Sequence, residues 1–339
     1  MKKRRNTKII SSQTNTEEND IRYLFRQFMS IKSSEGISEG TLHQYKENFQ
    51  FFCEYLNLKK HSFLIETINT EQFREWIMYM QFEHIRFKDI KTREIKEIGL
   101  KPSTINTRIK TLKVMFNTLL QNQLVTSNPL LHIKKVNEPE ELIEVLSESE
   151  INALLAVIDK DAYTTFRDYV LTVFLLDTML RVSEAVTLRK TDMNKEAGLV
   201  IVRASVAKNR KARAVPVSKK VITLLNQLMK ENEYGFDSEF IFAVSEYSFY
   251  NRQNYNQRLK QYAKLANLDK NVHPHLFRHT SATKWLENGG GLEELRLILG
   301  HSKYDMVKRY AHIADSSIIV AAQKYSLTNF INIYKSLFI

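Results

Sequence analysis

Thr178-Met179-Leu180-Arg181-Val182-Ser183-Glu184 is the stretch on which the fold turns. It follows the longest apolar run of the chain, Tyr169 to Leu176, and places an arginine just before Ser183-Glu184-Ala185, at the start of a helix. Three more clusters lie downstream: His275-Leu276-Phe277-Arg278-His279, Leu299-Gly300-His301 and Arg309-Tyr310. His275 and Arg278 are three residues apart and share a face if that segment is helical. His301 precedes Ser302-x-x-Asp305, a capping pattern that puts it at a helix start, with Tyr310 about two turns further on.

These clusters supply two guanidiniums, at least two imidazoles and a phenol. Phosphoryl transfer needs positioning and charge stabilisation more than unusual covalent chemistry. Arg181 and Arg278 carry planar forks that stay charged and match the non-bridging oxygens of a phosphate. Tyr310 is a nucleophile whose phenol, with a free pKa near about 10, needs a nearby positive charge or base. A departing deoxyribose oxygen needs a proton, which a lysine or histidine can give. Taken singly, Arg181 reads as an ion-paired surface residue, His275 as a structural histidine, and Tyr310 as one of 15 tyrosines. Lys208 alone carries almost no information. The joint order of residue types gives them meaning.

The bulk properties agree. The chain has 339 residues, enough for about two domains. With 43% hydrophobic and 26% charged residues it is of globular type, and only nine Gly and five Pro favour long helices. The Tyr169–Leu176 run is too short to span a bilayer, and polar residues rather than an apolar stretch follow Met1-Lys2-Lys3-Arg4-Arg5, so no membrane segment or signal peptide is expected. A single Cys53 permits no internal disulfide and fits a cytoplasmic protein; among Phe51, Phe52 and Tyr55 it reads as a small buried thiol. A net charge of +12 points to a polyanion, DNA or RNA ahead of a membrane surface.

Residues 1–20 form a basic arm, either a disordered tail or a segment lying along DNA phosphates. Helical spacing runs from Ile21 to about Gln123, in four segments marked by Ile21–Met29, Thr41–Leu56, Phe73–Met80 and Ile105–Leu119. Asn69 or Thr70 caps the third, and Lys101-Pro102 opens the fourth after the basic stretch Arg86–Lys101. The outer face of the fourth carries Arg108, Lys110 and Lys113, a solvated face or a DNA-facing one. Ser127-Asn128-Pro129 is expected to stop this helix. Residues 21–136 thus form a helical domain and 137–146 a linker. A second domain spans 147–325, opened by Ser147 as N-cap with Glu150 closing a capping box. Within it, β-rich runs around Val200 and Val215 flank Lys208-Asn209-Arg210-Lys211-Ala212-Arg213, a β-hairpin with a basic tip. Asn288-Gly289-Gly290-Gly291 reads as a helix C-cap, not a phosphate loop. Residues 326–339 carry an apolar helical stripe that packs on its own domain or on a neighbouring protomer.

The order Arg, Lys, His-x-x-Arg, His, Tyr resembles the tyrosine recombinase (phage integrase) family. The resemblance implies a mainly α, two-domain architecture with a small β-sheet: a helical core-binding domain and an α+β catalytic domain closing around double-stranded DNA. It implies Arg181, Lys208, His275, Arg278, His301 and the nucleophile Tyr310 as catalytic residues, with Glu184 in support. Lys101, Arg108, Lys110, Lys113, Arg210, Lys211 and Arg213 are the candidate DNA-binding residues. Tyr310 would form a 3′-phosphotyrosyl bond, and because the adduct keeps the bond energy neither ATP nor metal is implied. A homotetramer on two paired sites is expected, with accessory DNA-bending proteins possible and a cytoplasmic, nucleoid-associated location. Residues 1–20 are too few for a separate arm-binding domain. The chain departs from the family pattern at Met179, where glycine is common, at Ala207-Lys208-Asn209 in place of Gly-Lys-Gly, and at Phe277 in place of leucine. The second departure leaves Lys211 beside Lys208 as a general acid, with position favouring Lys208. A silent DNA-binding regulator and a type IB topoisomerase-like enzyme are the competing readings on the same fold.

Overall fold

The structure, a computed structural model, describes residues 18–86, 97–139 and 143–301. Residues 1–17 of the basic arm, Tyr310 and the C-terminal stripe lie outside the described residues. The chain divides into two compact units, residues 1–141 and 142–339.

The first unit is built on four helices: α1 Ile21–Ser34, α2 Glu39–Leu58, α3 Thr70–Phe82 and α4 Pro102–Gln121. Their starts follow the local chemistry. Asp20 accepts the Arg22 N–H at the head of α1, Asn69 and Gln72 form a reciprocal capping box on α3, and Pro102 opens α4. Apolar stripes then converge on an aromatic core. Phe25 stacks on Phe49 at 3.9 Å, and Phe52 packs against Phe73 and the edge of the fully buried Trp76, each at 5.0 Å. A buried polar pair, Asn48 Nδ2 donating to Thr111 Oγ1 at 2.8 Å, joins α2 to α4.

Helix α4 ends earlier than Pro129 would require. Gln123 takes a left-handed φ of 57°, and Leu124 N–H reaches back to Leu119 C=O at 2.9 Å. A Schellman-type reversal therefore closes the helix. Asn128 instead caps a later turn by accepting the Leu130 N–H at 2.8 Å.

The proposed basic outer face of α4 is also corrected. Lys101 and Lys110 are exposed, but Arg108 lies 3.6 Å over the Phe51 ring, and burial pulls its guanidinium down to about 10, against the charges of Glu54 and Glu47. Lys113 donates to Ile133 C=O and ties down the chain after α4. Their aliphatic stems cover apolar surface rather than standing in water.

Both ends of the 137–146 segment are anchored. Asn106 binds Val136 and Glu138 in the first unit, while Leu146 is fully buried in the second and Val145 C=O accepts from Lys270 Nζ.

The second unit contains α5 Glu148–Ala156, α6 Tyr163–Thr178, α7 Val182–Val186, α8 Lys219–Gly235, α9 Arg252–Leu265, α10 Pro274–Glu287 and α11 Leu292–Leu299. An antiparallel sheet runs in the order β1 Met193–Asn194, β2 Leu199–Val202 and β3 Arg213–Pro216. A second pair is β4 Ala243–Ser245 with β5 Ser248–Phe249. Ser147 and Glu150 make the expected capping box on α5. In the β2–β3 hairpin Leu199 faces Pro216 and Val202 faces Arg213, so Val200, Val202 and Val215 all point into the main core. A small separate core of Met179, Ala282, Leu286, Leu295 and Leu299 joins the end of α6 to α10 and α11. Among the described residues no helix is long and apolar enough to cross a membrane.

Burial also bears on Cys53, whose thiol is pushed up to about 12 by desolvation. Native protein at pH 8 should alkylate with iodoacetamide at least about 10²-fold more slowly than urea-unfolded protein, because only the thiolate reacts. Comparable rates by mass spectrometry would mean the thiol is open.

Candidate active site

The site is assembled from the ends of elements. Helix α6 terminates at Met179, which takes a left-handed φ of 55°. This explains why glycine would suit the position; here Met179 is 5% exposed, and its packing in the small core offsets a cost of roughly 1–2 kcal/mol for a left-handed residue. The reversal brings Arg181 to the N-cap of α7, where the Glu184 carboxylate reaches back to the Arg181 backbone N–H at 3.1 Å and to its guanidinium Nη1 at 3.1 Å.

Glu184 is 1% exposed and is shared by a second guanidinium. Arg213 donates from Nη2 to Oε2 at 2.7 Å and from Nη1 to Oε1 at 3.2 Å. Burial alone would raise this carboxyl; the hydrogen bonds from Arg213 and the charges of Arg213 and Arg181 outweigh it and hold the group below its ordinary value. Arg213 uses its remaining Nε to donate to Ile298 C=O at 3.1 Å. The sequence placed Arg213 among the DNA-binding residues of a basic tip; the structure turns it inward, its side chain 11% exposed and all three nitrogens bonded within the protein. It opens β3 instead of belonging to the turn.

Arg278, on α10, is 5% exposed. It donates to Met179 C=O at 2.8 Å, to Leu299 C=O at 2.7 Å, and from Nη2 to His301 Nε2 at 3.0 Å. Because a guanidinium can only donate, Nε2 of His301 is the acceptor, and in the neutral ring the proton resides on Nδ1. Gly300 links the two motifs through a left-handed φ of 63°, and a Cβ there would stand 2.9 Å from the Arg213 guanidinium. Both the backbone and the close approach require glycine.

His275 lies at the exposed start of the same helix, in its first turn. Desolvation, then the charges of Arg278, His273, Arg181 and Lys208, hold its imidazole below the ordinary 6.5. Arg278, Arg181 and Lys208, three of the expected residues, thus lie near enough for their charges to act on this ring. Lys208, Arg210 and Lys211 are exposed in the turn between β2 and β3. Tyr310, nine residues beyond His301 in the chain, is outside the described residues. Sequence reading did not single out Asn209, whose Nδ2 donates to Gly300 C=O at 3.3 Å, or the role of Arg213. A short polar residue in a turn and an arginine in a basic run have no periodicity to mark them.

A mostly helical two-unit chain in which two arginines and two histidines gather above a β-hairpin has the architecture of a tyrosine-type DNA strand transferase. The sequence signature described as the phage integrase family matches residues 144–317, and that of the phage integrase SAM-like domain matches residues 21–136. The chain therefore belongs to the phage integrase family, and it is a tyrosine recombinase, an enzyme that cleaves and rejoins DNA strands. It is 25% identical over 300 residues to tyrosine recombinase XerD of Listeria monocytogenes, covering 87% of this chain and 94% of that one. To tyrosine recombinase XerC of Bacillus pumilus it is 28% identical over 283 residues, covering 79% and 92%. Among solved structures, the Tn1549 transposon integrase in complex with transposon right end DNA superposes with a TM-score of 0.69 at 20% identity, covering 89% of this chain and 99% of that one.

The shared carboxylate makes a stability prediction. A depressed carboxyl stabilises the fold above its unfolded value, near 4.5, and that contribution is lost as pH falls through the lower folded value. Glu184→Gln should lower urea stability at pH 7 by about 3 kcal/mol, since it leaves buried guanidiniums unbalanced. The gap between the two proteins should narrow below pH 4.5. A difference that does not change with pH would remove Glu184 from this role.

Proposed function

We propose that the chain is a site-specific recombinase acting in DNA integration, excision or resolution, with Tyr310 as its nucleophile. The observation that carries this reading is the convergence of Arg181, His275, Arg278 and His301 in one site, with Arg278 bonded directly to His301. Arg181 and Arg278 have their backbones and stems fixed by neighbouring carbonyls and Glu184, so their charge is already in place when a phosphate arrives.

In the proposed reaction the Tyr310 phenol oxygen attacks the scissile phosphorus. A bond forms between that oxygen and phosphorus, and the bond from phosphorus to the 5′ oxygen breaks. The phenol proton passes to His275, which is neutral near pH 7 because its pKa lies below 6.5. Lys208 gives a proton to the departing 5′ oxygen. Arg181, Arg278 and His301 hold the negative charge on the non-bridging oxygens. A 5′-hydroxyl from the partner strand reverses the steps, and since the phosphodiester energy is kept in the adduct, no ATP or metal is needed. Lys101, Lys110, Arg210 and Lys211, all exposed, are the proposed phosphate contacts. Assembly as a homotetramer on two paired sites, with accessory DNA-bending proteins and a cytoplasmic, nucleoid-associated location, completes the proposal.

The test uses nicked duplexes from the DNA flanking the gene, incubated with protein in the absence of metal. An SDS-resistant adduct, mapped to Tyr310 and absent from Tyr310→Phe, is expected. Tight binding without an adduct on any duplex would favour a DNA-binding regulator. Relaxation of plasmid lacking a specific site would favour a topoisomerase.

Arg181→Ala or Arg278→Ala should slow adduct formation by about 10²- to 10³-fold, the usual loss for one transition-state donor. The wild-type rate should fall on the acid side with a midpoint below 6.5, where His275 becomes protonated. A rate that does not fall on the acid side at all would exclude His275 as the base.

A further inference from the structure

The turn that carries Lys208 is fastened to the segment that carries His301, at two points. Asn209, the next residue, donates from Nδ2 to Gly300 C=O at 3.3 Å. Its Oδ1 accepts the Lys211 N–H at 3.1 Å, so one side chain both closes the turn and holds it to its neighbour. At the base of the same turn Arg213 reaches Ile298 C=O and the Glu184 carboxylate. The turn is also braced internally. Ala207 is 5% exposed and belongs to the main core, Arg210 N–H returns to Ala207 C=O at 2.9 Å, and Arg210 takes a left-handed φ of 55°.

Ten residues, 203–212, connect β2 to β3. A connection of that length with an exposed lysine in its middle would ordinarily sample many conformations, each with the amine at a different distance from the scissile bond. Anchoring at both Asn209 and Arg213 removes most of that freedom before any substrate is bound. We propose that Asn209 and Arg213 are positioning residues, forming a latch that docks the hairpin turn onto Ile298–Gly300 and fixes Lys208 in the site before DNA arrives. The contact to Gly300 comes from the Asn209 side-chain amide, which a residue without a side-chain donor could not supply. Its chemical meaning rests on the proposed role of Lys208 as general acid.

Two measurements test it. Hydrogen exchange on the full-length free protein needs no DNA. Backbone amides of residues 208–212 should be protected in the wild type and exchange about 5-fold or more faster in Asn209→Asp, on the scale of one lost hydrogen bond. Asn209→Asp keeps the acceptor for Lys211 N–H and removes only the donor to Gly300. Equal exchange in both proteins would overturn the latch whatever Lys208 does.

The second measurement uses the nicked duplex on which the phosphotyrosyl adduct forms, remade with sulfur in place of the bridging 5′ oxygen. A thiolate leaves without a proton, so it bypasses the general acid. On the oxygen duplex Asn209→Asp and Arg213→Lys should cleave about 3- to 10-fold more slowly than wild type. On the sulfur duplex Asn209→Asp should match wild type, and Arg213→Lys should recover most of its loss. Lys208→Ala serves as the reference. If sulfur rescues Lys208→Ala and not Asn209→Asp, the latch is wrong and the general acid stands. If sulfur rescues neither, the general-acid reading itself fails, while the exchange experiment still judges the docking.

Discussion

A carboxylate removed from water and held between two guanidiniums is the constraint on which this catalytic unit is organised. A buried charge is tolerated only when paired and fully hydrogen-bonded. Glu184 meets that condition by taking bonds from the Arg181 backbone, the Arg181 side chain and both terminal nitrogens of Arg213. Arg181 lies in the α6–α7 turn and Arg213 at the base of the hairpin, so neutralising one carboxylate draws these two together, and Arg213 Nε then ties both to the end of α11 through Ile298 C=O. Arg278 does the same from the other side, through the carbonyls of Met179 and Leu299. Positive charge is therefore concentrated at the site by main-chain and carboxylate oxygens that lie behind the reacting face. In the proposed reaction a phosphate would meet guanidiniums that need no further ordering.

The fold was legible in the sequence where a local signal coincided with a periodic one. Asn69, Pro102 and Ser147 all mark helix starts, because an orphan N–H near the end of an apolar stripe leaves few alternatives. The hairpin was readable because β-branched residues alternate on both sides of a polar turn. Helical spacing ran out near Gln123, close to where α4 ends, but the stop was assigned to the conspicuous Pro129, whereas the left-handed turn at Gln123 depends on a hydrogen bond from Leu124 to Leu119 that carries no compositional mark.

The site was legible to a lesser depth. Arg181, His275, Arg278 and His301 could be selected by type and order, and the structure brings them together. Arg108, Lys113 and Arg213 lay beyond the reach of composition. Each is a cation in a basic neighbourhood, and composition does not distinguish one facing solvent from one turned onto Phe51, Ile133 or Glu184. Direction, not composition, separates them, and direction is set by partners far along the chain. Asn209 was invisible for the opposite reason: an asparagine in a turn is expected, and only the proximity of Gly300 gives it work beyond the turn.

The small core beneath the site has a thermal consequence. Five buried residues, Met179, Ala282, Leu286, Leu295 and Leu299, hold the arginine turn against the two C-terminal helices of the described unit, apart from the much larger main core. Regions with few buried apolar contacts open at lower free energy than the global fold. On warming, the charged cluster should come apart while the sheet and α6 remain intact, so the temperature at which strand cleavage stops is set by these five side chains and not by the melting point of the protein.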